Sequence, residues 1–290
     1  MNEIAKKPIE RPIEKPVEKA VVKTIETSID RSKDERPMSV STEGKRKEGG
    51  LAEGGRVVFH ALIIALVIRT LLFQPFNIPS GSMKATLLIG DYLFVSKYSY
   101  GYSHYSLPLS PPLFSGRLFG SAPERGDVVV FRLPKDDSTD YIKRVIGLPG
   151  DRIQMKDGLL HINGVPVKRE RVDDFIDDEN GGAERVRRWR ETLPNGVSYE
   201  SLDLQDNGFL DNTQEYLVPE GHYFMMGDNR DNSSDSRVSP EAGGVGYVPA
   251  ENLEGKAQII LLSWSKGASI FKPWTWVMNL QPKRFFNLLQ

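Results

Sequence analysis

Three short segments of the chain carry residue types that could perform acyl-transfer chemistry. The first is PSGSM, residues 79–83. It is a tight turn of small residues in which Gly81 lets the backbone approach a substrate closely, and Ser80 and Ser82 present hydroxyls. On its own it reads as an ordinary Ser/Gly turn. A serine becomes a nucleophile only beside a base. Of the four histidines, His60 lies in an apolar run, His104 in a Tyr/Ser-rich loop and His161 on an expected hairpin. His222 alone lies near a charged cluster, so a Ser/His/Asp triad is possible but has no support in the spacing.

Lysine is the other base, provided it is neutral. In DYIKRVIG, residues 140–147, strand alternation puts Tyr141, Lys143 and Val145 on one face and Ile142, Arg144 and Ile146 on the other. Bulky apolar neighbours desolvate Lys143 and lower its pKa. Bringing it from about 10.4 to near 8 requires roughly 3 kcal/mol against the charged form, which burial can supply. A solvated lysine at a strand edge is the plainer alternative.

The third segment, GDNRDNSSDSR at 227–237, is dense in Asp and Asn. A calcium loop of the helix-loop-helix type needs Gly at position six and Glu at position twelve. Counting from Asp228 gives Ser233 and Ser239, and counting from Asp231 gives Ser236 and Ala242. Neither register fits, and no metal or other cofactor is expected. Asp228, Arg230, Asp235 and Arg237 suit an internally ion-paired loop instead.

The elements that must position these segments read as β-strands. Tyr92–Val95, Asp127–Phe131 and Tyr141–Ile146 are short runs rich in Val, Ile, Tyr and Phe, separated by Gly/Pro turns. GLLHINGVPV at 158–167 folds around Asn163-Gly164, a strong hairpin signal. YFMMG (223–227) and AQIILLSW (257–264) are further buried-strand candidates. The expected fold is mainly β. Residues 168–215 are charged and poor in apolar clusters, and suggest a looser subdomain inserted over 157–217 between 77–156 and 218–290. The run 99–122 mixes Tyr, Ser and Pro and reads as a ribbon or loop with an apolar surface.

Before these strands comes VVFHALIIALVIRTLLFQPF, residues 57–76. Twenty helical residues rise about 30 Å, the thickness of a bilayer core. Arg69 can snorkel to the interface; a buried core helix is the alternative. Lys45, Arg46, Lys47 and Arg56 precede the run, which would keep the preceding segment cytoplasmic and everything after Phe76 outside. More than fifty residues ahead of the apolar block argue against a cleaved leader. Residues 7–22 repeat Pro every fourth position in a charged background, so 1–54 is expected to be a disordered tail. Trp274 and Trp276 beside Lys272, Lys283 and Arg284 suit either a membrane-interface contact or core packing. With 290 residues, a net charge of −1 and no cysteine, disulfides, thiolate metal sites and a Cys nucleophile are excluded, and nucleic acid is not an expected partner.

In order along the chain, PSGSM with TLLIGDYLFV (86–95), RGDVVVF (125–131), DYIKRVIGLPGD (140–151) and GDNRDNSSDSR resemble the four boxes of the bacterial type I signal peptidases. The resemblance covers about Phe76 to Trp264. It implies a serine endopeptidase with a Ser/Lys dyad on a mainly antiparallel β catalytic domain with an inserted smaller subdomain, preceded by a transmembrane helix. Ser82 is then the nucleophile and Lys143 the general base. Ser80, with the Ser82 amide, supplies the oxyanion hole, and Ser233 orients Lys143. Arg144, Asp228, Asp235 and Arg237 hold the site by ion pairs, and Phe76, Ile78, Pro79 and Ile142 line small-residue pockets. The implied partners are signal peptides of exported preproteins, membrane lipid and a nearby export translocon. The implied location is a bacterial inner membrane crossed once, with the catalytic domain on the periplasmic side. The family commonly has Pro at the place of Ala85, after Lys84, and its absence should loosen that turn slightly. Two rivals are the Ser/Lys self-cleaving repressors of the DNA-damage response, which would need a helical DNA-binding domain, and a membrane-tethered β-domain that binds peptides without cutting them.

Overall fold

The computed structural model describes residues 50–178, 182–265, 272 and 274–289; most of the expected tail lies outside them. Its last residues do not continue the tail. Helix α1 begins at Gly50 and runs to Leu71, because Leu51, Ala52 and Glu53 follow the last proline of the tail and favour a helix. The side chains from Val57 to Arg69 are exposed around the whole circumference. Glu53–Leu71 is long and apolar enough to cross a bilayer. The expected span to Phe76 is too long by five residues. Pro75 would clash with the Leu71 carbonyl, and the chain instead enters strand β1, Phe73–Asn77.

The strands that follow are β2 (Asp91–Ser96), β3 (Val128–Arg132), β4 (Asp140–Gly147), β5 (Arg152–Lys156), β6 (Leu159–Ile162), β7 (Val165–Pro166), β8 (Lys168–Arg171), β9 (Phe175–Asp177), β10 (Glu184–Thr192) and β11 (Ser198–Asp203). The last are β12 (Tyr216–Leu217), β13 (His222–Met226), β14 (Val248–Pro249), β15 (Leu253–Ser263) and β16 (Asn287–Leu288), with a five-residue helix α2, Trp274–Met278, before β16. The main sheet has the order β1-β2-β15-β3-β4-β13-β14, with β16 on β15. Every strand pairing in it is antiparallel. Both of its faces are buried. Val129, Phe131, Val145 and Met225 pack on one side; Ile78, Met83, Leu87, Leu93, Val128 and Val130 pack on the other.

Residues 157–217 are better ordered than their composition suggested. β8, β9, β10 and β11 form their own sheet, and β12, β5, β6 and β7 another, with the 163–164 turn joining β6 to β7. β10, ERVRRWRET, has no clean apolar alternation. Its cross-strand partners are charges: Arg187 meets Asp203 at 3.0 Å and Arg188 meets Glu200 at 3.0 Å, while Arg169 stacks on Trp189 at 4.1 Å. Such pairs stabilise strands without a hydrophobic pattern. The 99–122 run is a loop whose Leu109, Leu113 and Phe119 are exposed. Trp274 and Trp276 are exposed rather than packed in the core.

Candidate active site

Ser82 lies in a single 3-10 turn, Gly81–Met83, directly after the strand-like segment that carries Ile78. Lys143 projects from the middle of β4, opposite Val129 of β3. Both side chains are buried, Lys143 to 3% exposure. Lys143 Nζ donates to Ser82 Oγ at 2.6 Å and to the Ile142 carbonyl at 3.0 Å, and it lies 5.4 Å from the centre of the Tyr141 ring. Burial pulls its pKa down to about 8; Asp235 and Asp228 act against that shift and Arg237 with it. Once the amine is neutral, the same 2.6 Å contact can carry the hydroxyl proton from Ser82 to Lys143. Among the described residues, no histidine is a hydrogen-bond partner of the Ser82 hydroxyl.

The 227–237 loop clamps the serine turn from behind. The Asn229 amide donates to the Ser82 carbonyl at 3.1 Å, and Asn229 Nδ2 donates to the Gly81 carbonyl at 3.0 Å. Gly227 is required here. A Cβ on it would stand 2.5 Å from the Ser82 carbonyl oxygen and 2.2 Å from Ser233 Oγ. Arg144 grips both oxygens of Asp228, at 2.9 and 2.8 Å, and reaches the Gly126 carbonyl. Burial would lower its pKa, but Asp228 reverses the direction and keeps it cationic. Asp228 also accepts from Thr86 Oγ1 at 2.5 Å, which ties the clamp to the segment after Ser82. Arg237 holds Asp235 at 2.9 and 2.8 Å, and Asp235 in turn accepts the Gly227 amide at 3.0 Å. The carboxylates of this loop therefore serve ion pairs and backbone amides.

The other expected residues fall around this centre. Ser80 Oγ is 3.4 Å from Ser82 Oγ. Ser233 Oγ is buried against Gly227 and beside Asp235, and is not among the hydrogen-bond partners of Lys143 in the described residues. Ile78 is buried, with Phe76 and Ile142 packed on the same cluster, whereas Pro79 is exposed. The Lys84–Ala85 peptide, at the position where a proline was expected, is cis.

Sequence reasoning missed a second buried cluster beneath the loop. Arg230 donates to both oxygens of Glu191, at 2.9 and 2.6 Å, and Glu191 also accepts from Tyr199 and Ser201, each at 2.8 Å. This ties the site to β10 and β11. Arg230 was visible in the motif, but nothing local marks Glu191, one charge among many on a charged strand. The roles of Asn229 and Thr86 were hidden for a similar reason: their contacts exist only after folding.

Comparison with known proteins identifies the family. Residues 51–264 match the family model described as signal peptidase, peptidase S26. The chain is 43% identical to a signal peptidase I of Rickettsia conorii, over 86% of this chain and 97% of the relative. It is 46% identical to that of Rickettsia typhi, over 79% and 90%. A crystal structure of a signal peptidase I from Enterococcus faecalis V583 shares 28% identity over 47% of this chain and 97% of that one, with a TM-score of 0.27, too low to bear on the fold. The chain is a serine peptidase and belongs to the signal peptidase family, peptidase S26.

Proposed function

We propose that the chain is a membrane-anchored endopeptidase that removes signal peptides from exported preproteins, with Ser82 as nucleophile and Lys143 as general base. The 2.6 Å contact between a buried lysine and a buried serine carries this reading. Ser82 Oγ attacks the carbonyl carbon of the residue before the cut as its proton passes to Lys143. Ser80 Oγ and the Ser82 amide stabilise the oxyanion, a term worth about 3–4 kcal/mol per donor elsewhere. Lys143 then protonates the leaving amine. It next takes a proton from the water that hydrolyses the acyl-enzyme, which frees the signal peptide and restores Ser82. Phe76, Ile78, Pro79 and Ile142 frame shallow pockets that select small side chains at −1 and −3. Ser233, buried beside Asp235, is suited to turn its hydroxyl toward the Lys143 amine. The ion pairs Arg144–Asp228 and Asp235–Arg237 keep the loop rigid.

In this reading residues 57–71 cross the inner membrane once, with the N-terminal segment cytoplasmic and the β domain periplasmic beside the export translocon. Residues 157–217 are an insertion between the catalytic parts 77–156 and 218–290. The deciding experiment is cleavage of a preprotein with an Ala-x-Ala site by the purified chain in detergent. Wild type should cut it; Ser82→Ala and Lys143→Ala should not, and Ser82 should be the residue labelled by an acylating inhibitor. Substantial processing by Lys143→Ala would remove the lysine from its role.

A further inference from the structure

Where α1 meets the β domain there is a cavity of about 560 Å³ whose lining includes neither Ser82 nor Lys143. Its lining includes Arg69 and Thr70 from the last turn of α1, Gln74 of β1, and Lys97, Ser106 and Leu109. Asp137, Asp140 and Glu254 share this lining, yet two of its cations, the buried Lys97 and the exposed Arg69, make no ion pair with them. Lys97 is 3% exposed and uses one of its three ammonium donors, on the Ser106 carbonyl at 2.9 Å. Arg69 faces the same space and donates to no other group among the described residues. Neither has a carboxylate within ion-pair distance there. Arg132, also on this wall, is already matched by Asp140 at 3.0 Å and Glu254 at 2.6 Å. A buried cation without a counter-ion is costly. Burial lowers the Lys97 pKa; Glu254 opposes that shift, and the Arg69 charge adds to it.

We propose that Arg69 and Lys97 bind the phosphate of a membrane phospholipid headgroup at this junction. The inference rests on reading α1 as a membrane span, which places Arg69, two residues from its end, at headgroup depth. Two cations converging on one space supply the donors that a phosphodiester accepts, and the cavity has the volume of a small-ligand site. Leu66 of α1 and the fully exposed Leu109 stand on its lining and offer apolar surface to the acyl chains. The helix end is otherwise satisfied: Tyr102 donates to the Leu71 carbonyl at 2.7 Å and the Lys97 amide to the Leu72 carbonyl at 3.0 Å. A bound headgroup would therefore add to a formed joint and fix the height of the β domain above the bilayer.

The test is native mass spectrometry of the full chain, delipidated in detergent and given dioleoyl phosphatidylglycerol, dioleoylglycerol or millimolar inorganic phosphate. The expected result is one retained phosphatidylglycerol and no diacylglycerol adduct. Lys97→Met and Arg69→Gln should each lower the retained fraction about tenfold, the effect of losing one charge-assisted contact, while Ser82 remains open to acylating inhibitor. Retention unaffected by either substitution, or of diacylglycerol as readily, would overturn the site. Binding of inorganic phosphate without phosphatidylglycerol would overturn the lipid source. Alkaline extraction of wild-type membranes separates the two readings: release of the chain refutes the span itself, whereas a retained chain that holds no lipid refutes only this site.

Discussion

An amine held at about 8 is mostly protonated at pH 7, so the reactive form of Lys143 is the minor one there. If that amine is the base, kcat/KM should rise about tenfold per pH unit up to about pH 8 and level off above it. A profile flat between pH 6 and 9 would exclude it. The same depressed pKa is a stability cost. The unfolded chain keeps the lysine proton up to about the ordinary 10.5, whereas the folded chain releases it near 8. Between those values the unfolded state binds more protons, so stability rises with pH across that window and the full cost applies below it. A gap of that size is worth about 3 kcal/mol. Lys143→Met, inactive, should therefore be more stable than wild type at pH 7 by up to that amount. The advantage should fade as the pH approaches 10.5. Thermal melts across pH would show it, and a less stable Met variant at pH 7 would contradict the argument.

The pairing of β3, β4 and β13 turns one buried lysine into a site. β4 pairs with β3 through Lys143 and with β13 from Arg144 onward; Lys143 is left only 3% exposed, and Arg144, one residue on, is driven into the opposite layer. That alternation was legible in DYIKRVIG, as were most strands of the main sheet, because both buried faces demand apolar residues at those positions. The 158–167 hairpin was legible from Asn163-Gly164, but the β8–β11 sheet was not, because its strands are joined by cross-strand charges that resemble solvated loops in sequence. The end of α1 differs from the expected one for a local reason, with Pro75 outweighing the apolar or neutral Leu72, Phe73, Gln74 and Phe76. Two predictions belong to this scale. Asp228→Ala removes the carboxylate that pairs with the fully buried Arg144 guanidinium, and should cost about 3–5 kcal/mol in denaturant melts. The exposed pair Arg152–Glu215 should tolerate Glu215→Ala with little change. Gly227→Ala puts a methyl group against the Ser82 carbonyl oxygen, a backbone atom that cannot swing aside. It should abolish cleavage, whereas Gly182→Ala, with nothing within 4 Å, should leave the rate unchanged. An active Gly227→Ala enzyme would mean that the clamp has slack the structure does not have.

For the molecule as a whole, the arrangement of charge and apolar surface determines where the chemistry can occur. The four motifs were readable because each is a contiguous run of distinctive residue types. The clamp from Asn229, Thr86 and Glu191 was not, because it joins segments far apart in sequence. Orientation across a membrane is likewise a property of the whole chain, and it depends on Lys45, Arg46, Lys47 and Arg56 lying on one side of the apolar helix. The sequence has no cysteine, so single cysteines can report sidedness without background. Ser28→Cys lies ahead of the helix, and Gln205→Cys lies on an exposed position of the β domain. In intact spheroplasts a membrane-impermeant maleimide should label the second and spare the first, and both should react after lysis. Labelling of Ser28→Cys before lysis would invert the topology. It would put Ser82 and Lys143 on the cytoplasmic side, where no exported cleavage site emerges, and the proposed role would fail with it.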